Sequence, residues 1–502
     1  MFSLIPICLV LSTQARPDLE TSPGVRIEVR VSRPEAQLAG FLSWFEGTGS
    51  RDLASAYAAW KRKHPEARPT KALEAAFAAA NAEMVGELAA LDRSTFVFEQ
   101  DRAGRSRWHA ALPADDGSLE AVGIAFALTD GMRVESPANS PPVDRLGPEG
   151  APFLSRGDDR RGVVIADSIE GLETARRLLA GPPAAHEPGA FPSGAIFASI
   201  RADRAPEAGP VPWRQVIEAL AAGGCARLDL AAAIAGDGLE IDLEAHFGAE
   251  PAAAPAVLDP SVLAPFAADE LDLAFAAALE TSPAALDRVF AWIDRIEKAD
   301  PARAGVAPAR VRLAFLAAGA RLRPEADLIR RLRAVSIYLL KTKEAGPRSM
   351  LVGLHCVDDL AARTLIQETL PRASRALGAG EPSVEQGALR WGDTGPLARF
   401  RAEAIGSTVW VGRPRDGDDA PHLYPAQPAD PERRWTRGLI EPNGRVQRVG
   451  FARSTLLSPE LPDSGIATWV GRFEGSTSRD RIRWTGGRSA VRALLDHHLG
   501  VR

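Results

Sequence analysis

The sequence carries one pattern twice: a strand, then a helix with an apolar stripe, then a hairpin. In the first copy, residues 26–31 alternate as Arg-Ile-Glu-Val-Arg-Val, which predicts a half-buried strand, and the following stripe contains Trp44. In the second copy, residues 271–279 predict the strand and the stripe contains Trp292. The two tryptophans are 292 − 44 = 248 residues apart. We therefore expect two related units in this chain.

The predicted hairpins support the same repeat. Their turns contain Gly104 in the first copy and Gly346 in the second, 346 − 104 = 242 residues apart. Two landmarks in one order at nearly one offset favour an internal duplication. The alternative is convergence of two alanine-rich stretches. Between the copies, a shorter strand-helix-hairpin stretch closes at Gly236-Asp237-Gly238, an Asp-Gly turn that adopts positive φ at little cost.

Strands interleaved with helices, where the hairpins close locally, predict an α+β fold. In this interpretation, repeated strand-helix-hairpin units form antiparallel or mixed sheets that are covered by helices. Stretches rich in proline and glycine mark the candidate boundaries. The predicted division is a signal peptide at 1–15, a first α+β unit at 24–181, a shorter strand-helix-hairpin unit at 190–250, a second α+β unit at 266–415, and C-terminal strands and a helix at 431–502.

The first 15 residues have the form of a secretory signal peptide. They are uncharged and mostly apolar, and they place Thr13 and Ala15 at −3 and −1 of a cleavage site before Arg16. The apolar stretch is shorter than the roughly 20 residues of a transmembrane helix. We expect an extracytoplasmic protein, either periplasmic, in the cell envelope or secreted, with no stable transmembrane span. The alternative for this segment is a buried strand.

Three cysteines are present, and one of them, Cys8, lies in the predicted signal peptide. The other two, Cys225 and Cys356, are too few for a disulfide framework. Each lies beside or within an apolar strand pattern, which favours buried free thiols. A single bridge between them stays open, as does cleavage of the signal segment.

Composition excludes several classes of protein. Hydrophobic residues at 45% and charged residues at 25% are typical of a soluble globular protein. The net charge of −5 gives no global field that would attract nucleic acid or anionic lipid, so we expect no nucleic-acid partner. Only 6 of the 60 basic residues are lysine, which leaves 60 − 6 = 54 arginines. This bias indicates a bacterium with a GC-rich genome.

No motif assigns a catalytic, cofactor-binding or metal-binding residue. The sequences Asp393-Thr394-Gly395 and Asp463-Ser464-Gly465 match the paired loops of aspartic proteases. Their flanks are rich in turn residues, whereas that chemistry places each aspartate at the end of an apolar strand. The eight histidines are scattered without metal-ligand spacing, and phosphate-binding loops are absent from the sequence.

One group of residues is a candidate binding surface. Three tryptophans lie near arginines in the C-terminal segment, and exposed tryptophans can form a platform on which carbohydrate stacks. The alternative is that these tryptophans pack in a core, as we expect for Trp44 and Trp292. The candidate residues are Trp435, Arg437, Trp469, Arg472, Arg483 and Trp484.

The arrangement resembles exported bacterial proteins of unknown function that are built from repeated α+β modules. The signal-like segment, the Trp44 and Trp292 units and the stretch from Met350 to Asp359 carry this resemblance, which implies no activity. We expect a non-enzymatic binding or structural protein outside the cytoplasm whose partner is a protein or a cell-envelope component. The alternative is an extracytoplasmic hydrolase with a site assembled from dispersed residues such as Asp393 and Asp463.

Overall fold

The structure is a computed structural model. It describes residues 25–66, 81–82, 92–100, 106–112, 132–134, 143–145, 153–156, 162–180, 196–201, 225–247, 257–258, 266–279, 287, 290, 294, 307–341, 349–376, 379, 381–385, 387–392, 397–413, 423, 435–436, 439, 446–453, 465–493 and 495–496. The predicted signal peptide and Trp292 lie outside this part of the chain. The predicted hairpin turns at Gly104 and Gly346 do so as well.

The described residues form twenty strands and eight short α-helices. The strands are β1 Val25–Val31, β2 Thr95–Gln100, β3 Ser106–Leu112, β4 Met132–Val134, β5 Val143–Arg145, β6 Phe153–Arg156, β7 Val163–Ala166, β8 Ile196–Arg201, β9 Cys225–Ala235, β10 Gly238–Phe247, β11 Leu271–Ala278, β12 Leu332–Leu340, β13 Ser349–Cys356, β14 Ser383–Glu385, β15 Ala388–Arg390, β16 Arg401–Ile405, β17 Thr408–Gly412, β18 Arg448–Arg453, β19 Ile466–Glu474 and β20 Thr477–Thr485. The helices are α1 Pro34–Ser43, α2 Leu53–Lys63, α3 Ile169–Ala180, α4 Ala309–Ala320, α5 Pro324–Asp327, α6 Asp359–Thr364, α7 Leu370–Ala376 and α8 Gly487–Ala493. A π-helical turn, Leu365–Thr369, joins α6 to α7.

The chain divides into two compact units. The first comprises Met1–Ala221, Cys225–Ala245 and Trp484–Arg502, and the second comprises Ala222–Gly224 and His246–Arg483. The segments predicted at 190–250 and 431–502 are therefore each shared between the two units.

The strands fall into two sets that pair in the same order. In the first set, β1 pairs with β2 and β8, β2 with β3, and β3 with β7, all antiparallel. In the second set, β11 pairs with β12 and β18, β12 with β13, and β13 with β17, again antiparallel. The hairpins β2–β3 and β12–β13 that the sequence predicts are confirmed. Strands β8 to β10 hold in the first set the positions that β18 to β20 hold in the second.

The predicted α+β class, in which helices cover antiparallel or mixed sheets, is wrong. The protein is mostly antiparallel sheet with few helices, 44% strand against 32% helix. Much of the additional sheet lies where the sequence predicts connectors or no element, as in β5, β6, β14 and β15. These strands have only three or four residues, too short to show an alternating pattern, and pairing with neighbouring strands stabilises them.

In the first unit, apolar side chains pack on both faces of the sheet near β3 and β7. Trp108 and Ile165 belong to the cluster on one face, and Val164 packs with Leu172 of helix α3 on the other. A third cluster joins Trp44 of the turn after α1 to Val491 of α8, so the C-terminal helix completes the core of this unit. Trp44 is thus a core residue, as the sequence predicts.

In the second unit, strand β12 alternates between buried and half-buried residues along its whole length. Tyr338, fully buried, lies at the centre of a cluster that also contains Trp410 and Trp435. On the other face, Leu365 of the π-helical turn packs against Leu389 of β15. None of the helices in the described part of the chain has the length and apolar character that crossing a bilayer requires.

Candidate functional site

The predicted Trp/Arg surface is only partly at the surface. Trp435 is 3% exposed in the core of the second unit, where its ring meets Tyr338 at 6.3 Å between centroids. Trp469 on β19 is half-buried and packs against Phe275, with 5.4 Å between ring centroids. Both indoles therefore stabilise the sheet of the second unit. Arg437 lies outside the described residues.

The other candidates of this group comprise two arginines and a tryptophan. Arg472 is exposed and pairs with Glu474, with 2.9 Å between Nη2 and Oε1. Arg483 on β20 is also exposed, whereas the next residue, Trp484, is half-buried. The ring of Trp484 meets Trp44 edge-on at 5.7 Å. Arg472 and Arg483 thus stay candidates for a binding surface on the paired strands β19 and β20, whereas the rings of the three candidate tryptophans make packing contacts.

The arrangement closest to a catalytic one joins Ser336, His355 and Thr408 in the second unit. A distance of 2.8 Å separates Ser336 Oγ from His355 Nε2, and 3.0 Å separates His355 Nδ1 from Thr408 Oγ1. Three neighbouring strands, β12, β13 and β17, place these side chains on one face. A serine beside a histidine that is held by a third group is the geometry of an activated nucleophile.

Burial excludes this chemistry for the Ser336–His355–Thr408 cluster. Ser336 and His355 are almost completely inaccessible, and the ring of Trp410 packs edge-on against the imidazole. Burial, reinforced by the charge of Arg333, lowers the pKa of His355 to about 4. The neutral ring donates one hydrogen bond and accepts another, so both hydroxyl contacts are satisfied without a bound molecule. The cluster is a buried hydrogen-bond network that links strands β12, β13 and β17.

The hydrolase alternative has no described site residues. Asp393 and Asp463 both lie outside the described residues. Within the part of the chain that the structure describes, no cluster of three or more histidine, cysteine, aspartate or glutamate side chains could hold a metal ion. Cys225 and Cys356 are buried free thiols, as the sequence predicts.

Helix α4 presents a different kind of feature, an exposed apolar face. The helix begins after Pro308 and ends at Arg321, which adopts a left-handed conformation with φ 52°, and Pro324 prevents its continuation. Its inner side carries the buried residues Ala317 and Ala320. Helix α4 packs against α7, where a Cβ on Gly319 would lie 3.9 Å from that of Ala376.

The outer side of α4 is apolar and open to solvent. Phe315 is 75% exposed and Val311 is 41% exposed. Ala314, Ala318 and Gly319 are also exposed. Positions 311, 314, 315, 318 and 319 lie one or two helical turns apart, so they form one continuous stripe. We call these five residues the α4 stripe.

Arginines border the α4 stripe at both ends. Between Asp300 and Glu325 the sequence has five arginines and no acidic residue. Arg310 precedes the stripe, and its Nη1 lies 2.6 Å from Asp287 Oδ1 in an exposed ion pair. Arg321 and Arg323 follow the stripe, and both are exposed. The helix therefore combines an open apolar face with basic ends.

The sequence of α4 does not reveal its open face. The stretch is so rich in alanine that it is apolar around most of its circumference, and it does not show which side is buried. The arginines at both ends of α4 were the sequence signal that could have indicated an exposed apolar face.

Comparison with protein-family models, with curated proteins and with solved structures found no match.

Proposed function

We propose that this chain is a non-enzymatic binding protein that works outside the cytoplasm and contacts a component of the cell envelope through the α4 stripe. The observation that carries the proposal is the exposure of Phe315 together with four apolar neighbours on one helix face. Single exposed apolar residues are ordinary on protein surfaces, whereas a continuous apolar patch bordered by polar groups is typical of an interaction site.

The free energy that would be gained by burying the Phe315 side chain supports a binding role for this residue. Burying a phenylalanine side chain contributes about 1.5–3 kcal/mol relative to leaving it in water. The fold leaves most of this contribution unused, because the Phe315 side chain is 75% exposed. A partner that covers the stripe gains it. The extracytoplasmic location rests on the sequence pattern of residues 1–15.

Cell fractionation tests the proposal. The full chain, Phe315→Ser and Leu360→Ser are each produced in the native host, and the cytoplasmic, soluble extracytoplasmic and envelope fractions are assayed for the protein. Leu360 is a matched control because its side chain is 71% exposed and lies on α6, outside the stripe. We expect the wild type and Leu360→Ser in the envelope fraction, and Phe315→Ser in the soluble extracytoplasmic fraction.

Two results would contradict the proposal. Wild-type protein found in the cytoplasm would exclude the location, and identical fractionation of all three chains would exclude the α4 stripe as the contact. Both substituted side chains are exposed, so we expect neither substitution to change stability. Equal unfolding midpoints in urea would show that both variants fold normally.

A further inference from the structure

We infer that the occupant of the α4 stripe is the surface of an anionic lipid bilayer. This inference rests on the proposed function and adds the chemistry of the partner. It places Phe315 and Val311 among the upper acyl chains, and the arginines at both ends of α4 beside lipid phosphates. A helix that lies in the plane of the interface binds in this way, by its apolar face and its basic border.

The charges around the stripe favour an anionic partner. The whole chain has a net charge of −5 and does not attract anionic lipid globally, so a local basic group is required. Arg310 and Arg323 are mostly exposed, and their acidic neighbours are Asp287 and Asp327. The Arg310–Asp287 pair is exposed on both sides. Such pairs contribute only about 0–1 kcal/mol, so a phosphate can replace the Asp287 carboxylate at little cost. The guanidinium fork matches phosphate oxygens in bidentate geometry.

The extent of the stripe argues against a protein partner. Stable protein interfaces involve roughly 20–30 residues on each side, and the stripe has five. Phe315 projects from a convex helix, and a bilayer accommodates such a side chain without a complementary pocket. The small area of the α4 stripe therefore suits insertion of Phe315 into a lipid bilayer better than docking on the surface of a folded protein.

The positions of the arginines argue against a second copy of this chain. If two α4 helices packed side by side in parallel, each Arg310 would face its counterpart. If they packed antiparallel, Arg310 would face Arg321 and Arg323 of the other copy. Each arrangement brings like charges together, which is destabilising.

A helix of the first unit has a related composition. Helix α2 precedes β2 in the chain, as α4 precedes β12, and it ends in the basic run Lys61-Arg62-Lys63. Tyr57 and Trp60 stack on this helix, with 5.7 Å between ring centroids. Both are half-buried, and Trp60 packs against the core cluster of Trp44 and Val491. Aromatic side chains beside basic ones are characteristic of membrane interfaces. The same combination of residue types thus occurs before the second strand of both sets.

Vesicle flotation with the purified full chain tests the inference. The probes are vesicles of phosphatidylcholine alone and vesicles of phosphatidylcholine mixed with phosphatidylglycerol. We expect binding to the mixed vesicles only. Phe315→Ser should weaken binding by about tenfold or more, from the burial it loses, and Leu360→Ser should not change it. Arg321→Gln should weaken binding about fivefold, and the exposed Arg472→Gln should leave it unchanged.

The outcomes separate this inference from the proposed function. One outcome is that the mixed vesicles do not bind the protein although Phe315→Ser shifts the protein from the envelope fraction to the soluble fraction in cells. That result would show that the lipid inference is wrong and that the envelope partner is not a bilayer. Equal binding to both vesicle types, or equal binding by all variants, also overturns the inference. If neither experiment responds to Phe315→Ser, both proposals are wrong.

Discussion

The indole ring of Trp469 lies against Gly450, the residue directly opposite it on the neighbouring strand β18. A Cβ at position 450 would overlap the ring, so only glycine fits there. Gly450 is also opposite Phe275 of β11, whose ring contacts the same indole. Trp469, a candidate for partner binding from its sequence, therefore covers a glycine of its own sheet, and aromatic residues commonly protect strand glycines in this way.

Gly450→Ala should destabilise the second unit by about 1–3 kcal/mol, because the new methyl group displaces the Trp469 ring. Urea unfolding followed by tryptophan fluorescence measures the change. The matched control is Gly392→Ala, where no atom lies within 4 Å of the new Cβ, and we expect its stability to be within about 0.5 kcal/mol of the wild type. A Gly450→Ala protein as stable as the wild type would show that the contact is not tight.

The buried imidazole of His355 should make the protein less stable in weak acid. Its pKa is about 4 in the folded chain against 6.5 for an unperturbed histidine, so the unfolded state binds the proton first as the pH falls. Stability should therefore decline between pH 6.5 and about 4, by ~3 kcal/mol in total from this group, and its contribution should level off below that range. Urea unfolding at a series of pH values measures the decline.

The variant His355→Gln separates the contribution of His355 to the pH dependence of stability from that of carboxylates, which titrate in a similar pH range. The variant should lose the part of the pH dependence that falls between pH 6.5 and 4. His64, which is exposed, provides the control, since His64→Gln should keep the wild-type dependence. An NMR titration of the His355 ring with a midpoint near 6.5 would refute the assignment directly.

The guanidinium of Arg448 should not be replaceable by an ammonium group. Its Nε lies 3.2 Å from Asp480 Oδ1 and its Nη2 lies 2.8 Å from Oδ2, and it also contacts the Phe473 ring at 4.8 Å. Lysine cannot make this two-pronged contact, so Arg448→Lys should cost about 1–2 kcal/mol in urea unfolding. Arg472→Lys, in an exposed pair with Glu474, should cost less than about 0.5 kcal/mol. Equal losses in the two variants would contradict a special role for Arg448.

Counting the reactive thiols should report two properties: the burial of the cysteines in the folded protein and the removal of the signal segment. Burial, with the carboxylate of Asp358 adding to it, raises the pKa of Cys356 to about 11, so the folded protein should react slowly with a disulfide reagent. In denaturant, protein recovered from outside the cytoplasm should show two reactive thiols, Cys225 and Cys356. Three thiols would mean that Cys8 is retained, and none would mean that the two buried cysteines are bridged.

Local patterns were sufficient to predict several elements of the fold. The hairpin predicted at Gly236-Asp237-Gly238 is confirmed between β9 and β10. The positive φ of 56° lies at Gly236 and not at Gly238 of the Asp-Gly pair, which begins β10. The two-residue turn is therefore Gly236-Asp237, and glycine at its first position adopts positive φ at little cost. The hairpins β2–β3 and β12–β13 are confirmed by their antiparallel pairing, since the apolar pattern of each strand is a local signal. Short strands such as β5 and β14 were not predictable, because three residues are too few to show an alternating pattern and pairing with neighbouring short strands stabilises them.

The sequence by itself determined where local structure forms: alternation, turn residues and the repeat of about 245 residues are all visible without coordinates. Only the tertiary structure decided which faces are covered. Ser336, His355 and Thr408 are far apart in the chain and meet because three strands pair in register. Likewise, Trp435 is buried and Phe315 is exposed, since burial depends on what packs against each side chain. A helix that is apolar around most of its circumference does not show in its own residues which side is covered.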